Sequence, residues 1–222
     1  MNLAIGDMYS WVTHTWNPLN GECGHACKYC YVKNTPAGRM GFYSGALRLN
    51  KRAMKENLGK GKTIFICSLN DLFADVVPAI FIKEILDRCW MYPGNNYVFQ
   101  TKNPARYKEF VFPDKSLLGC TIESNIEYQS ISCAPIPHDR MWWMCEKKTR
   151  KFVTIEPILR MDVDIMIRWM RRIRPEFVNI GADSKRSGLP EPSKKDVLAL
   201  IEGLKKVGIE VRQKSNLGRL LK

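Results

Sequence analysis

The chain has 222 residues, 45% of them apolar, with 35 basic residues against 22 acidic and a formal charge of +13. That is enough apolar mass for one compact domain with a real core, and no stretch is long enough to span a bilayer, so disordered and membrane-spanning classes are excluded. Eight cysteines without an apolar leader segment point to a reducing, cytoplasmic setting rather than a disulfide framework. The cationic surplus admits anionic partners, nucleic acid among them, beside the plainer reading of a solvated lysine-rich surface.

A first β-rich run, Tyr9 to Thr15, leads through Thr15-Trp16-Asn17-Pro18 into the segment Cys23-Gly-His-Ala-Cys27-Lys-Tyr-Cys30. Its C-x3-C-x2-C spacing closes three thiolates around one face of a cubic 4Fe–4S cluster and leaves the fourth iron without a protein ligand. Cys27 and Cys30 alone would equally suit half of a zinc ribbon or a redox pair. Cys133, His138 and Cys145 do not repeat a zinc-knuckle spacing, which makes a zinc-binding interaction module the minor reading. His14 and Trp16 stand where they could shield a cluster, or simply pack.

Further strands are predicted at Thr63 to Cys67, Tyr97 to Thr101, Leu117 to Thr121, Phe152 to Ile155, Phe177 to Ile180 and Ile209 to Arg212. Helical stretches lie between them. One opens at Pro78 and stacks Ile82, Ile85, Leu86 and Cys89; another places Val197, Leu200, Ile201 and Leu204 behind a Ser193 cap. The stretch from Ser187 to Ser193 is short enough for a loop, so residues 1–222 read as a single domain. Alternating strands and helices of this kind give an α/β fold, a partial (β/α)6–7 TIM-like barrel on a parallel sheet, with functional groups at the C-terminal mouth. The strand ends agree, each running into a polar cluster: Cys67 to Asp71, Gln100 to Pro104, Cys120 to Ser124, Thr154 to Pro157, Asn179 to Ser184 and Arg212 to Lys214. Cys67 and Cys120 read as small buried apolar groups, with a hydrogen-returning thiol as the alternative. The run from Ser132 to Cys145, with Met141-Trp142-Trp143-Met144, reads as a lid over the pocket, ahead of a partner surface or a core helix.

The cysteine triad resembles the signature of the radical S-adenosylmethionine (radical SAM) superfamily. Thr15 to Pro18, Asp71 to Phe73, Thr101 to Pro104 and Glu156-Pro157, in that order along the chain, are similar to the hallmarks of small phage-associated radical-SAM-like proteins related to spore photoproduct lyase. The resemblance implies a radical SAM core in which the open iron holds the methionine end of S-adenosylmethionine. A reduced cluster then cleaves that cofactor to a 5′-deoxyadenosyl radical that takes hydrogen from a substrate, with electrons from a donor such as flavodoxin or ferredoxin. The compact length is similar to the short branch that includes queuine lyase, which implies a carbon-centred lyase in queuosine salvage acting on a small nucleobase-like substrate. The wider family implies the alternative of DNA or RNA lesion repair or modification.

Site roles follow from the same resemblance and from strand alternation. Cys23, Cys27 and Cys30 would ligate the cluster, and Tyr29 would lie against the adenine. Glu123 shares a face with Thr121 and could accept from the ribose hydroxyls; Ser68 and Asp71 could receive the amino nitrogen. Lys102 could neutralise the cofactor carboxylate or an anionic substrate, or be paired with Glu123 or Glu156. Glu156, Asn179 and Asp183, on later strands, would line the substrate side and satisfy a guanine-like edge, Asp183 being also a candidate helix cap.

Overall fold

Short runs of β-branched and aromatic residues become parallel strands buried on both faces, as their near-continuous apolar composition requires. In the computed structural model, which describes residues 1–6, 8–185 and 187–222, they belong to two compact units, Met1–Ala26 with Cys30–Leu118 and Cys27–Tyr29 with Gly119–Lys222.

The first unit contains β1 (Asn2–Leu3), β2 (His14–Trp16), β3 (Leu19–Asn20), α1 (Pro36–Arg39), β4 (Arg48–Leu49), α2 (Lys51–Met54), β5 (Thr63–Ile66), α3 (Ala79–Trp90) and β6 (Asn96–Thr101). β2, β5 and β6 run parallel, β1 is an antiparallel edge on β2, and β3 pairs antiparallel with β4. The core centres on Phe73, fully buried and met edge-on by Tyr107 at 4.8 Å, with Phe99, Phe110 and Phe112 around it. Edge-to-face rings add to the area term, and truncating such a residue costs about 3–5 kcal/mol. α3 opens behind Pro78 and buries Ile82, Ile85, Leu86 and Cys89, the face its periodicity predicts.

β7 (Ser116–Thr121) leads out of the first unit into the second, which continues with α4 (Pro137–Cys145), β8 (Lys151–Ile155), α5 (Val163–Ile173), β9 (Phe177–Ile180), α6 (Lys194–Lys206) and β10 (Glu210–Gln213). β8, β9 and β10 are parallel, with Val153 opposite Val178 and Val211 opposite Val178 on the other side. α6 starts with a reciprocal capping box between Ser193 and Asp196. α5 is capped by the Asp162 carboxylate, which accepts from the Ile165 amide at 2.9 Å, and stops at Arg174 in the left-handed region. No helix among the described residues is long and apolar enough to cross a membrane.

One expectation changes. The run Tyr9 to Thr15 is strand only from His14. Before that the chain turns, the Val12 amide donating to the Tyr9 carbonyl at 2.9 Å, and the Tyr9 and Trp11 rings stack 5.3 Å apart. Their aromatic, β-branched composition marked a strand, but the rings satisfy each other. The segment from Ser132 to Cys145 carries α4, which buries Arg140, Met141 and Met144 along one face and leaves Trp142 exposed.

Candidate active site

The cysteine loop leaves β3 through Gly21, whose φ of 103° lies in the region open to glycine; a Cβ there would sit 2.6 Å from the Ala46 carbonyl oxygen and from Leu47 Cα. Gly24 is similarly confined, since a Cβ would meet a Val76 methyl at 2.8 Å. Cys23, Cys27 and Cys30 are not in disulfides and are partly exposed, whereas Cys67, Cys89 and Cys120 are not in disulfides and are buried. Burial pushes the Cys67 and Cys89 thiols up, so these two stay protonated and inert, as expected of small apolar groups. Among the described residues no three of His, Cys, Asp and Glu gather into a group that could hold a single metal ion.

In the first unit the strand end after β5 grips this loop. Asn17 Oδ1 accepts from the Ser68 hydroxyl at 3.2 Å and the Leu69 amide at 3.1 Å; Asn70 Nδ2 donates to the Gly21 carbonyl at 2.9 Å; the Tyr31 hydroxyl donates to the Ser68 carbonyl. Asp71 is the centre of the grip. Its Oδ1 accepts from the Phe73 amide (3.0 Å) and Thr101 Oγ1 (2.7 Å), and its Oδ2 from the Lys102 amide (2.7 Å), with His25 Nε2 at 2.8 Å. Burial alone would raise this carboxyl, but the His25 charge and hydrogen bond, with those from Thr101 and Lys102, outweigh it and bring it down to about 2. Asp71 and Lys102, both predicted site residues, are thus brought together, by the Lys102 backbone. The Thr-Lys-Asn-Pro turn is itself anchored, because Asn103 Nδ2 donates to the Phe73 carbonyl at 3.1 Å and to Asp75 at 2.8 Å.

In the second unit residues 27–29 of the loop meet the end of β7 and the segment before α4. The Lys28 amide donates to the Ile131 carbonyl at 2.9 Å, Cys27 Sγ lies 3.3 Å from Ser132 Oγ, and the Tyr29 hydroxyl donates to Glu123 Oε1. Arg140 Nη1 donates to Glu123 Oε2 at 2.6 Å and to the Thr121 carbonyl at 3.1 Å, while its Nε reaches the Pro135 carbonyl. Burial opposes the Arg140 charge, but the Glu123 carboxylate and smaller contributions from Cys120 and Tyr29 hold its pKa above the usual guanidinium value. Burial, then the Glu123 charge, push the Tyr29 phenol well up. Glu123 is therefore paired with a buried arginine. A cavity of about 160 Å³ opens beside it, lined by Glu123, Tyr128, Ser132, Cys133, Arg140 and Leu159 among others.

The three residues expected on the substrate side also lie in the second unit. Glu156 pairs with Lys214 Nζ at 3.0 Å and accepts from Asn216 Nδ2 at 3.1 Å; Asn216 also bonds the Ala182 carbonyl and the Ser184 hydroxyl. Asn179 is buried, its Nδ2 3.4 Å from Thr154 Oγ1. Asp183 accepts from the Lys185 and Ser187 amides, so its carboxylate shapes its own loop and does not cap a helix. Trp16 is simple packing, fully buried with its indole N–H on the Ala53 carbonyl at 3.1 Å. Sequence reasoning missed His25, Arg140, Lys214 and Asn216 as site residues. His25 lay inside the cysteine motif and Lys214 at a predicted strand end, which were signals enough; Arg140 was hidden in an aromatic run.

Residues 7–187 match the model of a family described as Protein of unknown function (DUF5131). The chain belongs to DUF5131. A comparison of this DUF5131 chain with the curated proteins returned no match. Among solved structures, a point mutant of spore photoproduct lyase superposes with a TM-score of 0.63 at 9% identity, covering 96% of the DUF5131 chain and 79% of the other. A double mutant with bound AdoMet and dinucleoside spore photoproduct gives 0.62 at 8%, covering 95% and 78%. Spore photoproduct lyase complexed with dinucleoside spore photoproduct gives 0.63 at 9%, again covering 95% and 78%. The DUF5131 fold is thus the mostly parallel α/β fold of spore photoproduct lyase, as expected of a radical SAM core.

Proposed function

We propose that this chain is a radical SAM enzyme acting on a lesion or modified base in nucleic acid, with Cys23, Cys27 and Cys30 as the thiolate ligands of a 4Fe–4S cluster. The observation that supports it is a C-x3-C-x2-C loop of partly exposed cysteines outside any disulfide in a chain whose fold superposes on spore photoproduct lyase over 96% of its length. Soft thiolates on a pinned loop suit an iron–sulfur cluster. When bound, the cluster and S-adenosylmethionine supply one-electron cleavage of a sulfonium and with it a hydrogen-abstracting radical.

The chain's own residues bind, orient and exclude water. All four lone-pair positions of Asp71 are engaged, so Asp71 fixes the loop and the acceptor for the cofactor's amino nitrogen falls to Ser68. Lys102 is fixed beside the loop by its backbone N–H on Asp71, and its ammonium is the cation we propose for the cofactor carboxylate. Tyr29 presents its ring to the adenine with its plane set by the Glu123 bond, and Glu123 contributes to the ribose side while its charge is balanced by Arg140. Glu156 and Asn179 offer an acceptor and an amide to the base edge. The relatives bound to dinucleoside spore photoproduct favour a substrate within a nucleic acid over the small free base expected of the compact branch.

The test is anaerobic reconstitution with iron and sulfide, followed by reductant, S-adenosylmethionine and a panel of lesion-bearing oligonucleotides and free modified bases, queuine included. A brown protein that releases 5′-deoxyadenosine, with deuterium passing from one labelled oligonucleotide, is expected. Cys27→Ala should lose colour and release together. A colourless protein retaining zinc, or deuterium transfer from a free base alone, overturns the corresponding half of the reading.

A further inference from the structure

α4 and α5 pack against one another in the second unit and leave an outer face of unusual composition. Around α5 the buried positions are Met166, Met170 and Ile173; at 100° per residue the opposite side carries Arg168, Arg171 and Arg172, all exposed. No carboxylate lies within ion-pair distance of these three among the described residues. The acidic residues of α5 are confined to its start, where Asp162 caps and Asp164 sits in the first turn. Arg150 is different, being neutralised by Glu176 through bonds of 2.8 and 3.0 Å.

On α4, Trp142 is 41% exposed, and the Arg172 guanidinium lies 5.0 Å from its ring centroid. One turn earlier His138 meets Trp169 of α5 edge-on at 6.1 Å. An exposed indole is seldom left at a surface that already has a core to fill, and here the core is filled by Met141 and Met144 on the other side of the helix. A guanidinium stacked on indole beside two unpaired arginines is the chemistry that grips a polyphosphate while offering a flat face to an unstacked base.

We infer that the outer face of α4 and α5, centred on Trp142 and Arg172 with Arg168 and Arg171, binds a single-stranded nucleic acid; this rests on the proposed nucleic-acid substrate and names the surface that holds it. α4 ties this surface to the site. Arg140, two residues before Trp142 and so about 200° around the helix, holds Glu123. A strand seated on Trp142 would thus lie across α4 from the arginine that holds that carboxylate.

The experiment is fluorescence anisotropy of a labelled oligodeoxythymidine at rising KCl, with the Cys27→Ala protein run in parallel. Wild type should bind with a salt slope, and Arg168→Gln/Arg171→Gln/Arg172→Gln should lower that slope by about 2 and weaken binding at least about tenfold, at roughly 0.7 counterions per phosphate contact. Trp142→Ala should weaken binding about five-fold or more and Trp142→Phe far less, since base–aromatic stacking is worth roughly 1–3 kcal/mol. Cys27→Ala should bind like wild type, and the arginine variant should still release 5′-deoxyadenosine in the absence of oligonucleotide, which separates failure of this surface from failure of the cluster assignment. Absence of binding by wild type, equal binding by the arginine and Trp142→Ala variants, or a preference for duplex that ignores Trp142 overturns the inference. Should the triple variant melt early, Arg172→Lys, which keeps the charge and loses the planar stack, decides by the same anisotropy readout.

Discussion

Asp71 and Arg140 show how much a single polar side chain can fix. Because folding lowers the Asp71 carboxyl from 3.8 to about 2, its contribution is complete above about pH 4 and lost as the pH falls through 2, a stabilisation of about 2 kcal/mol at neutral pH. Urea midpoints of wild type and Asp71→Asn should therefore converge on acidification, and the variant should lack that part of the acid dependence. A constant gap from neutrality to about pH 2 would show that the carboxyl is not held down. Arg140→Ala leaves the Glu123 charge buried, with only 6% of that side chain exposed, and should cost about 3–5 kcal/mol. Pairing it with Glu123→Gln should recover much of the loss in a double-mutant cycle. The polar strand end marked Asp71, but His25 is 46 residues away and Arg140 sits 17 residues beyond Glu123. A chain read residue by residue shows candidates, while the partners that settle their roles are brought in by topology.

The strands from β5 to β9 were legible because each is a short apolar run bounded by turn chemistry, and α3 and α6 because a cap precedes a clean apolar stripe. α6 offers the direct check: Ser193→Ala removes the hydroxyl that accepts from the Asp196 amide at 3.2 Å and should cost about 1 kcal/mol by denaturation. A neutral outcome would mean that packing of Val197, Leu200, Ile201 and Leu204 alone carries the helix. α5 was not read, since its stripe of Met166, Met170 and Ile173 is diluted by arginines that belong to the opposite face. α4 was hard to read for a related reason: its tryptophans drew attention from Met141 and Met144, which do the burying.

For the molecule as a whole, the surplus of 35 basic over 22 acidic residues was plain from composition, while the grouping of Arg168, Arg171 and Arg172 on one exposed face of α5 was not, because distribution follows from which side of each helix is buried. Like charges repel in the folded state, so raising monovalent salt to about 0.2 M should raise the melting temperature by roughly 2–4 °C. A fall would mean that ion pairs such as Arg150 with Glu176 outweigh the repulsion. The same logic separates polymer from small-molecule substrates, since a free base carries no phosphates for salt to compete with.

Gly21 carries a genetic corollary. Main chain presses on main chain there, with the Ala46 oxygen 2.6 Å from where a first side-chain carbon would sit, and no rotamer can relieve it. A selection for inactive alleles should return changes at codon 21 as readily as at the three sulfur-bearing codons, and purified Gly21→Ala should alkylate at those sulfurs faster than wild type. The vulnerability of this loop thus begins two positions before its first thiol.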